Sequence, residues 1–274
     1  MKRKLKKRPV KKVRRSIRRP KTLIKAARGK MLTLPEAVKK YGLETQRQKM
    51  DGIERIDDDY VKDGKSYTRL TSVLSVIEKP FLDRWYARQA AEVALKFKAM
   101  NSKFAVNAVM EKVALAGAEG SDFHNWVRFY LMGVNIDVDS LSPTNVLRVK
   151  RFLQYENREK HTTVFSERFA ISESLGIGCT IDRLVRKKDG RLVLQDYKAT
   201  NGVYWHHALQ LAGQAKCLFD TKGVNVDGQE VLWCTPDFCV PIPVAESVAY
   251  LSSAKYLHTR LTSWSVKPSL KIKS

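Results

Sequence analysis

The chain has 274 residues, 43% of them hydrophobic, and a formal net charge of +23. That is enough apolar material for one large core, so a wholly disordered protein is excluded, and no run is long and apolar enough to read as a membrane span. The charge is unevenly placed: residues 1–30 hold 16 of the 51 Lys and Arg and no Asp or Glu, leaving 35 basic against 28 acidic elsewhere, or +7.

Residues 1–30 therefore read as a solvated, disordered basic arm. Lys6, Lys7, Arg14 and Arg15 within it suit contact with nucleic-acid phosphates. A solubility tail, a localisation signal or a tether to an anionic membrane are the other uses of such a run. No apolar stretch follows the basic start, and Pro9 and Pro20 interrupt it. Neither a secretory nor a mitochondrial leader is read there, and the cytoplasm is the expected compartment. Cys179, Cys217, Cys234 and Cys239 form no Cys-x-x-Cys pair. With no sign of secretion and no metal-site spacing, they are expected to be structural thiols without disulfides.

In chain order, residues 31–49 read as a short helix, with Pro35 near its start and Gly42 near its end, and residues 51–65 as an acidic turn. "SYTRLTSVLSVIEKP" and "FLDRWYARQAAEVALKFKAM" predict a helix pair broken at Pro80. Residues 104–132 predict another helix, weakened at Gly117 and Gly120, and residues 144–158 a further one. The period then changes. Residues 163–171, 177–187 and 191–199 alternate and predict three strands. Residues 206–219 predict a helix, "QEVLWCT" and "FCVPIPV" two more strands with Pro241 and Pro243 at an edge, and "AESVAYLSSAKYLHTRLTSW" a closing helix. The expected fold is α/β (α+β), a central mixed sheet flanked by helices. Residues 31–274 would form one domain, helical over about 31–158 and sheet-bearing over about 160–265.

The hairpin "IDRLVRKKDGRLVLQDYK" (181–198) carries the most chemistry. A two-residue Asp189-Gly190 loop would put Asp182 and Asp196 on opposite faces. A three-residue Lys188-Asp189-Gly190 loop would set Asp182 directly across from Asp196, with Lys198 on the same face. Two close carboxylates repel, and a divalent cation relieves the repulsion. A lysine beside them can offset charge developing on a phosphate. The plain alternative is a surface hairpin with a cross-strand ion pair.

Other residues bear on the choice. Glu167 shares a strand face with Phe165, Phe169 and Ile171, so it needs a partner, either as a satisfied core carboxylate or beside a metal. His124 follows Gly120 by one helical turn and is either structural or a ligand. Gln210 and Gln214, four apart, would reach nucleic acid or face water.

Together these residues resemble the PD-(D/E)xK nuclease superfamily, in its RecB-type exonuclease branch. The matching order is Gly120-x-x-x-His124, Glu167, Gly178-x-x-x-Asp182, Asp196-Tyr197-Lys198 and a helix bearing Gln210. The segment beginning "SYTRLTSVLSVIEKP" is also similar to upstream segments of phage members and of mitochondrial genome maintenance exonucleases. The resemblance spans roughly residues 66–260. It implies a mixed sheet with flanking helices and a Mg²⁺ or Mn²⁺ ion held by His124, Asp182, Asp196 and the main-chain carbonyl of Tyr197. It further implies Lys198 as the catalytic lysine, Glu167 as a supporting acid, and Gln210 holding DNA or the lysine. Gln214 stands where the family helix carries tyrosine. The upstream cysteine and the C-terminal trio of iron–sulfur relatives are missing, so no cluster is expected.

The function so implied is a metal-dependent exonuclease acting on single-stranded DNA or duplex ends, in recombination, replication or repair. It would be phage-encoded and work in the bacterial host's cytoplasm, with DNA as partner and no membrane. The alternatives are a structure-specific endonuclease or resolvase on the same fold, a non-catalytic nucleic-acid-binding protein, and a basic packaging protein dominated by the arm.

Overall fold

The structure, a computed structural model, describes residues 31–42, 47–57, 59–77, 80–96 and 102–263. The basic arm, with Lys6, Lys7, Arg14 and Arg15, lies outside them. The described part begins with α1 (Leu34–Lys40) and a four-strand meander, β1 (Arg47–Met50), β2 (Ile53–Ile56), β3 (Asp59–Lys62) and β4 (Lys65–Arg69). Helices α2 (Leu70–Leu74), α3 (Pro80–Lys96), α4 (Ser102–Leu131) and α5 (Pro143–Glu159) follow. Then come β5 (Thr162–Ser172), β6 (Ile177–Arg186), β7 (Leu192–Lys198), α6 (Trp205–Lys222), β8 (Gly228–Cys234), β9 (Cys239–Val244) and α7 (Ala249–Ser263). All nine strands of the described residues belong to one mixed sheet, so the expected α/β architecture holds.

Local chemistry explains the helix ends. Thr33 caps α1 and exchanges hydrogen bonds with Glu36, and Ser142 caps α5 ahead of Pro143. Gly223 ends α6 in the left-handed conformation, φ +67°. Three apolar clusters hold the layers together. One packs α2, α6 and α7 on the sheet through Leu70, Leu209, Leu194 and Leu251, and a second packs α1, α4 and α5 through Leu34, Phe123, Phe152 and Leu232. A third, around Ile53, Tyr60, Tyr67, Phe169 and Ile171, ties the meander to β5.

Two expectations need correction. The stretch of residues 47–69 is not helix and turn but the β1–β4 meander. Its hairpins close on Asp51-Gly52 and Asp63-Gly64, where all four residues have positive φ (52°, 78°, 51° and 74°). That is the turn whose twist matches paired strands. The helix expected over 104–132 is α4, which runs through Gly117 and Gly120 with open space where a Cβ would stand at either. Second, Cys234 and Cys239 form a disulfide. They face each other in register at the mouth of the β8–β9 hairpin, which brings their sulfurs together whatever the compartment. Cys179 and Cys217 are buried thiols, as expected.

The pairing of β6 positions the site. Strand β5 runs along it from Ile177 to Arg186. On the other edge β4 pairs in parallel only with Ile177 and Gly178, and β7 antiparallel only with Leu184, Val185, Arg186 and Arg183. Cys179–Asp182 therefore lie where β6 passes from one neighbour to the other. The β6–β7 loop is the three-residue form: Lys187 N–H donates to Arg191 O at 2.9 Å and Gly190 has φ +90°.

Candidate metal centre

The three-residue loop fixes the register of the acids. Arg183 pairs with Gln195, so one step further Asp182 stands opposite Asp196. Ser166 pairs with Arg183 and Arg168 with Ile181, which sets Glu167 opposite Asp182. Glu167, Asp182 and Asp196 thus occupy neighbouring positions across three adjacent strands. Glu167 does so with φ +55°, a left-handed conformation that costs a non-glycine residue within a strand.

His124 reaches this row from α4. Its Nε2 lies 2.8 Å from Asp182 Oδ2, and its Nδ1 is 3.8 Å from Glu167 Oε1. Arg128, one turn further on, lies 3.8 Å from Glu167 Oε2. Asp182 Oδ2 also accepts the backbone N–H of Tyr197 at 3.0 Å. Tyr197 therefore enters the centre through its main chain. Its ring is buried in the second apolar cluster, edge-on to the His124 ring at 5.3 Å.

Asp196 is held differently. Lys198 Nζ lies 2.6 Å from its Oδ2, and Gln210 Nε2 donates to its Oδ1 at 2.7 Å. Gln210 Oε1 accepts from Lys198 Nζ at 3.2 Å, so one amide holds both residues. Gln214 is buried, not water-facing. Its Nε2 sits 3.3 Å from both Asp196 Oδ1 and the carbonyl of Thr180.

The electrostatics are those of carboxylates under strain. Burial pushes Glu167 up to about 7, with Asp182 adding to the rise and His124 and Arg128 opposing it. Burial likewise raises Asp196 to about 6, against the pull of Lys198. Burial also resists ionisation of Asp182, but His124, Lys198 and the Tyr197 N–H outweigh it and hold the carboxyl below its usual value. Burial opposes protonation of His124 too, and here Asp182, Glu167 and Asp196 prevail and raise it to about 9. Lys198 is held above its usual value because Asp196 and Asp182 overcome its burial.

Donor atoms of His124, Glu167 and Asp182 all lie within 4.8 Å of one another, a group that could hold a metal ion. One nitrogen and two carboxylate donors beside acids that resist ionisation fit a divalent cation such as Mg²⁺ or Mn²⁺. The resemblance implied Asp196 in place of Glu167 in that set. Asp196 stands beside that group: its Oδ1 accepts from Gln210 and Gln214, while its buried Oδ2 faces the Lys198 ammonium with no hydrogen-bond partner among the described residues.

The centre forms one part of a cleft of about 250 Å³. Cationic side chains that the sequence reading did not single out also line it: Arg55 from β2, Arg69 from β4 and Arg128 from α4. Arg128 had a signal, standing four residues after His124 on one helix face. Arg55 and Arg69 had only their hairpins. Tyr60 lines the cleft too, its hydroxyl 2.8 Å from Thr180 Oγ1.

No protein-family model matches the chain, and no curated protein matches it. Among solved structures, one titled "Crystal structure of SSO0001" is similar over 83% of this chain and 84% of that one, at 12% identity and a TM-score of 0.35. A likeness of that size bears on neither fold nor chemistry. Among the described residues, no helix is long and apolar enough to cross a membrane.

Proposed function

We propose that the chain is a metal-dependent nuclease that hydrolyses DNA phosphodiester bonds. The observation that carries this reading is the row Glu167–Asp182–Asp196, joined by His124 on one side and Lys198 on the other, in a cleft. The PD-(D/E)xK resemblance supports it and adds exonuclease action on single strands or duplex ends, in recombination, replication or repair. A bound Mg²⁺ or Mn²⁺ would neutralise the carboxylates, polarise the scissile phosphate and acidify a water.

The chain's own groups have separable parts. His124 and Asp182 hold each other, and the Tyr197 N–H fixes the carboxylate. Lys198 stays cationic in a part-buried position and presents its ammonium where charge would build on the phosphate. Gln210 fixes Asp196 and Lys198 relative to each other. Hydrolysis consumes one water, breaks one P–O bond, and leaves a phosphate monoester on one fragment and a hydroxyl on the other.

The test is digestion of end-labelled single-stranded, linear duplex and closed circular DNA by wild type and Lys198→Ala, with Mg²⁺, Mn²⁺ or EDTA. Metal-dependent loss of linear DNA by wild type alone, with circles spared, supports the exonuclease. Cutting of circles would make it an endonuclease. DNA retention without cutting under any metal would sink the catalytic assignment.

A further inference from the structure

We infer that the β1–β4 meander is a phosphate-binding wall for the substrate strand, with Arg55 as its central contact. The inference rests on the nuclease reading for the identity of that strand. Gln48, Arg55 and Tyr60 stand directly opposite one another across β1, β2 and β3, and all three line the cleft. One face of the meander is therefore one side of the site.

The wall is anchored, not loose. Tyr60 is buried and bonded to Thr180, and β4 pairs with β6 at Ile177 and Gly178. At the first turn Asp51 is held by Lys222 at 3.2 Å and Arg168 at 3.5 Å. A contact borne on such a wall keeps its place relative to the acid row, as positioning of a reacting phosphate requires.

Arg55 is half-buried, and three acids of the meander are engaged elsewhere. Glu54 pairs with Lys49 at 3.1 Å, Asp51 with Lys222 and Arg168, and Asp59 accepts from Ser66 at 2.9 Å. No carboxylate of the described residues lies within ion-pairing distance of Arg55. Its charge is felt at Glu167, so the guanidinium acts on the centre itself. A second cation there, Arg128, leaves its buried Nε without a hydrogen-bond partner.

The charge balance points the same way. Four lasting cations line the cleft (Arg55, Arg69, Arg128 and Lys198) against three carboxylates, Glu167, Asp182 and Asp196. A divalent ion would tip that balance further. A phosphodiester strand brings the repeated negative charge that this cationic lining attracts. Arginine's planar fork suits two phosphate oxygens at once.

The probe is a fluorescently labelled single-stranded DNA tetranucleotide, kept short to limit contacts beyond the cleft. Its anisotropy is followed in EDTA over a salt series, using full-length chain. Wild type is compared with Arg55→Gln, Arg55→Lys and an arm variant in which Lys6, Lys7, Arg14 and Arg15 are all changed to Gln. Arg55→Gln should bind about tenfold more weakly. Its salt slope should be shallower by about 0.7, the share of one phosphate contact on a single strand. Arg55→Lys should keep that slope, inorganic phosphate should displace the probe from wild type more readily than from Arg55→Gln, and the arm variant should match wild type. Unchanged affinity and slope in Arg55→Gln, or no binding by wild type, would overturn the inference. Cleavage by wild type with Mn²⁺ is scored separately. Its absence would refute the nuclease reading while leaving the binding difference to decide the wall.

Discussion

Replacing Glu167 by Gln should stabilise the metal-free protein at pH 8. The carboxyl is raised from 4.5 to about 7 because folding buries it beside Asp182. Below about pH 4.5 it is neutral in both folded and unfolded chains and carries no penalty. As pH rises, the unfolded chain ionises first, so the folded state loses about 1.4 kcal/mol per pH unit until its own carboxyl titrates near 7. Above that the full penalty stands, about 3 kcal/mol. Asp196, raised to about 6, and His124, raised to about 9, hold their protons more tightly when folded and act in the same direction. These shifts share the same neighbours, so a difference between two proteins tests the argument where a sum would not.

The assay is thermal unfolding in EDTA at pH 5 and pH 8, repeated with Mn²⁺. Wild type should lose stability between the two pH values, and Glu167→Gln should lose much less. At pH 8 the variant should melt higher by roughly 5–10 °C for a chain of this size. Adding Mn²⁺ at pH 8 should stabilise wild type and do little for the variant, because a ligand donor is gone. A variant that melts below wild type at pH 8 in EDTA would refute the reasoning. It would show that the His124 and Arg128 contacts outweigh the burial of the charge.

Two further substitutions test the scaffold. Gly178→Ala would place a Cβ 2.6 Å from the Tyr60 ring, which packing and the Thr180 hydroxyl hold in place. The expected cost is about 1–3 kcal/mol in urea unfolding, and a cost near zero would mean that the meander shifts freely. Arg183 is 1% exposed and forks onto Glu156 at 2.7 and 2.9 Å. Arg183→Met should cost about 3–5 kcal/mol by stranding the Glu156 charge, and Arg183→Met with Glu156→Leu should recover most of it. If the double variant is no better than the single one, the stranded charge is not the cause.

The dipeptide Asp-Gly occurs four times, three of them in hairpin turns, and those three show what the sequence made legible. At Asp189-Gly190 it lies between two clearly alternating apolar strands, so the hairpin and its acids were readable, with only the loop length left open. At Asp51-Gly52 and Asp63-Gly64 it closes two-residue hairpins as well. There the strands are four or five residues long and thick with charge, so no apolar alternation marked them. Each meander strand buries few side chains, among them Ile53, Tyr60 and Tyr67, and its stability comes from β5 and β6, far away in sequence. Arg55 and Arg69 were hidden for the same reason. Glu167 was legible as a carboxylate on an apolar face. Its left-handed backbone was not, because that conformation comes from the tertiary arrangement.

The split edge of β6 explains why the acids meet where they do. A continuous ladder would fill the edge along Cys179–Asp182 with backbone hydrogen bonds and leave no room for a substrate. Parting β4 from β7 opens that room but frees polar groups that must be satisfied. The substitutes here come from side chains that also build the centre. Gln214 donates to the Thr180 carbonyl and reaches Asp196, and Asp182 accepts the Tyr197 N–H that a neighbouring strand would otherwise have used. Both side chains satisfy the freed edge and belong to the site. Substituting Gln214 or Asp182 to weaken the chemistry therefore also disturbs the sheet, whereas Lys198 and Arg55 bond none of those edge groups. That is why cleavage is best tested at Lys198 and strand binding at Arg55.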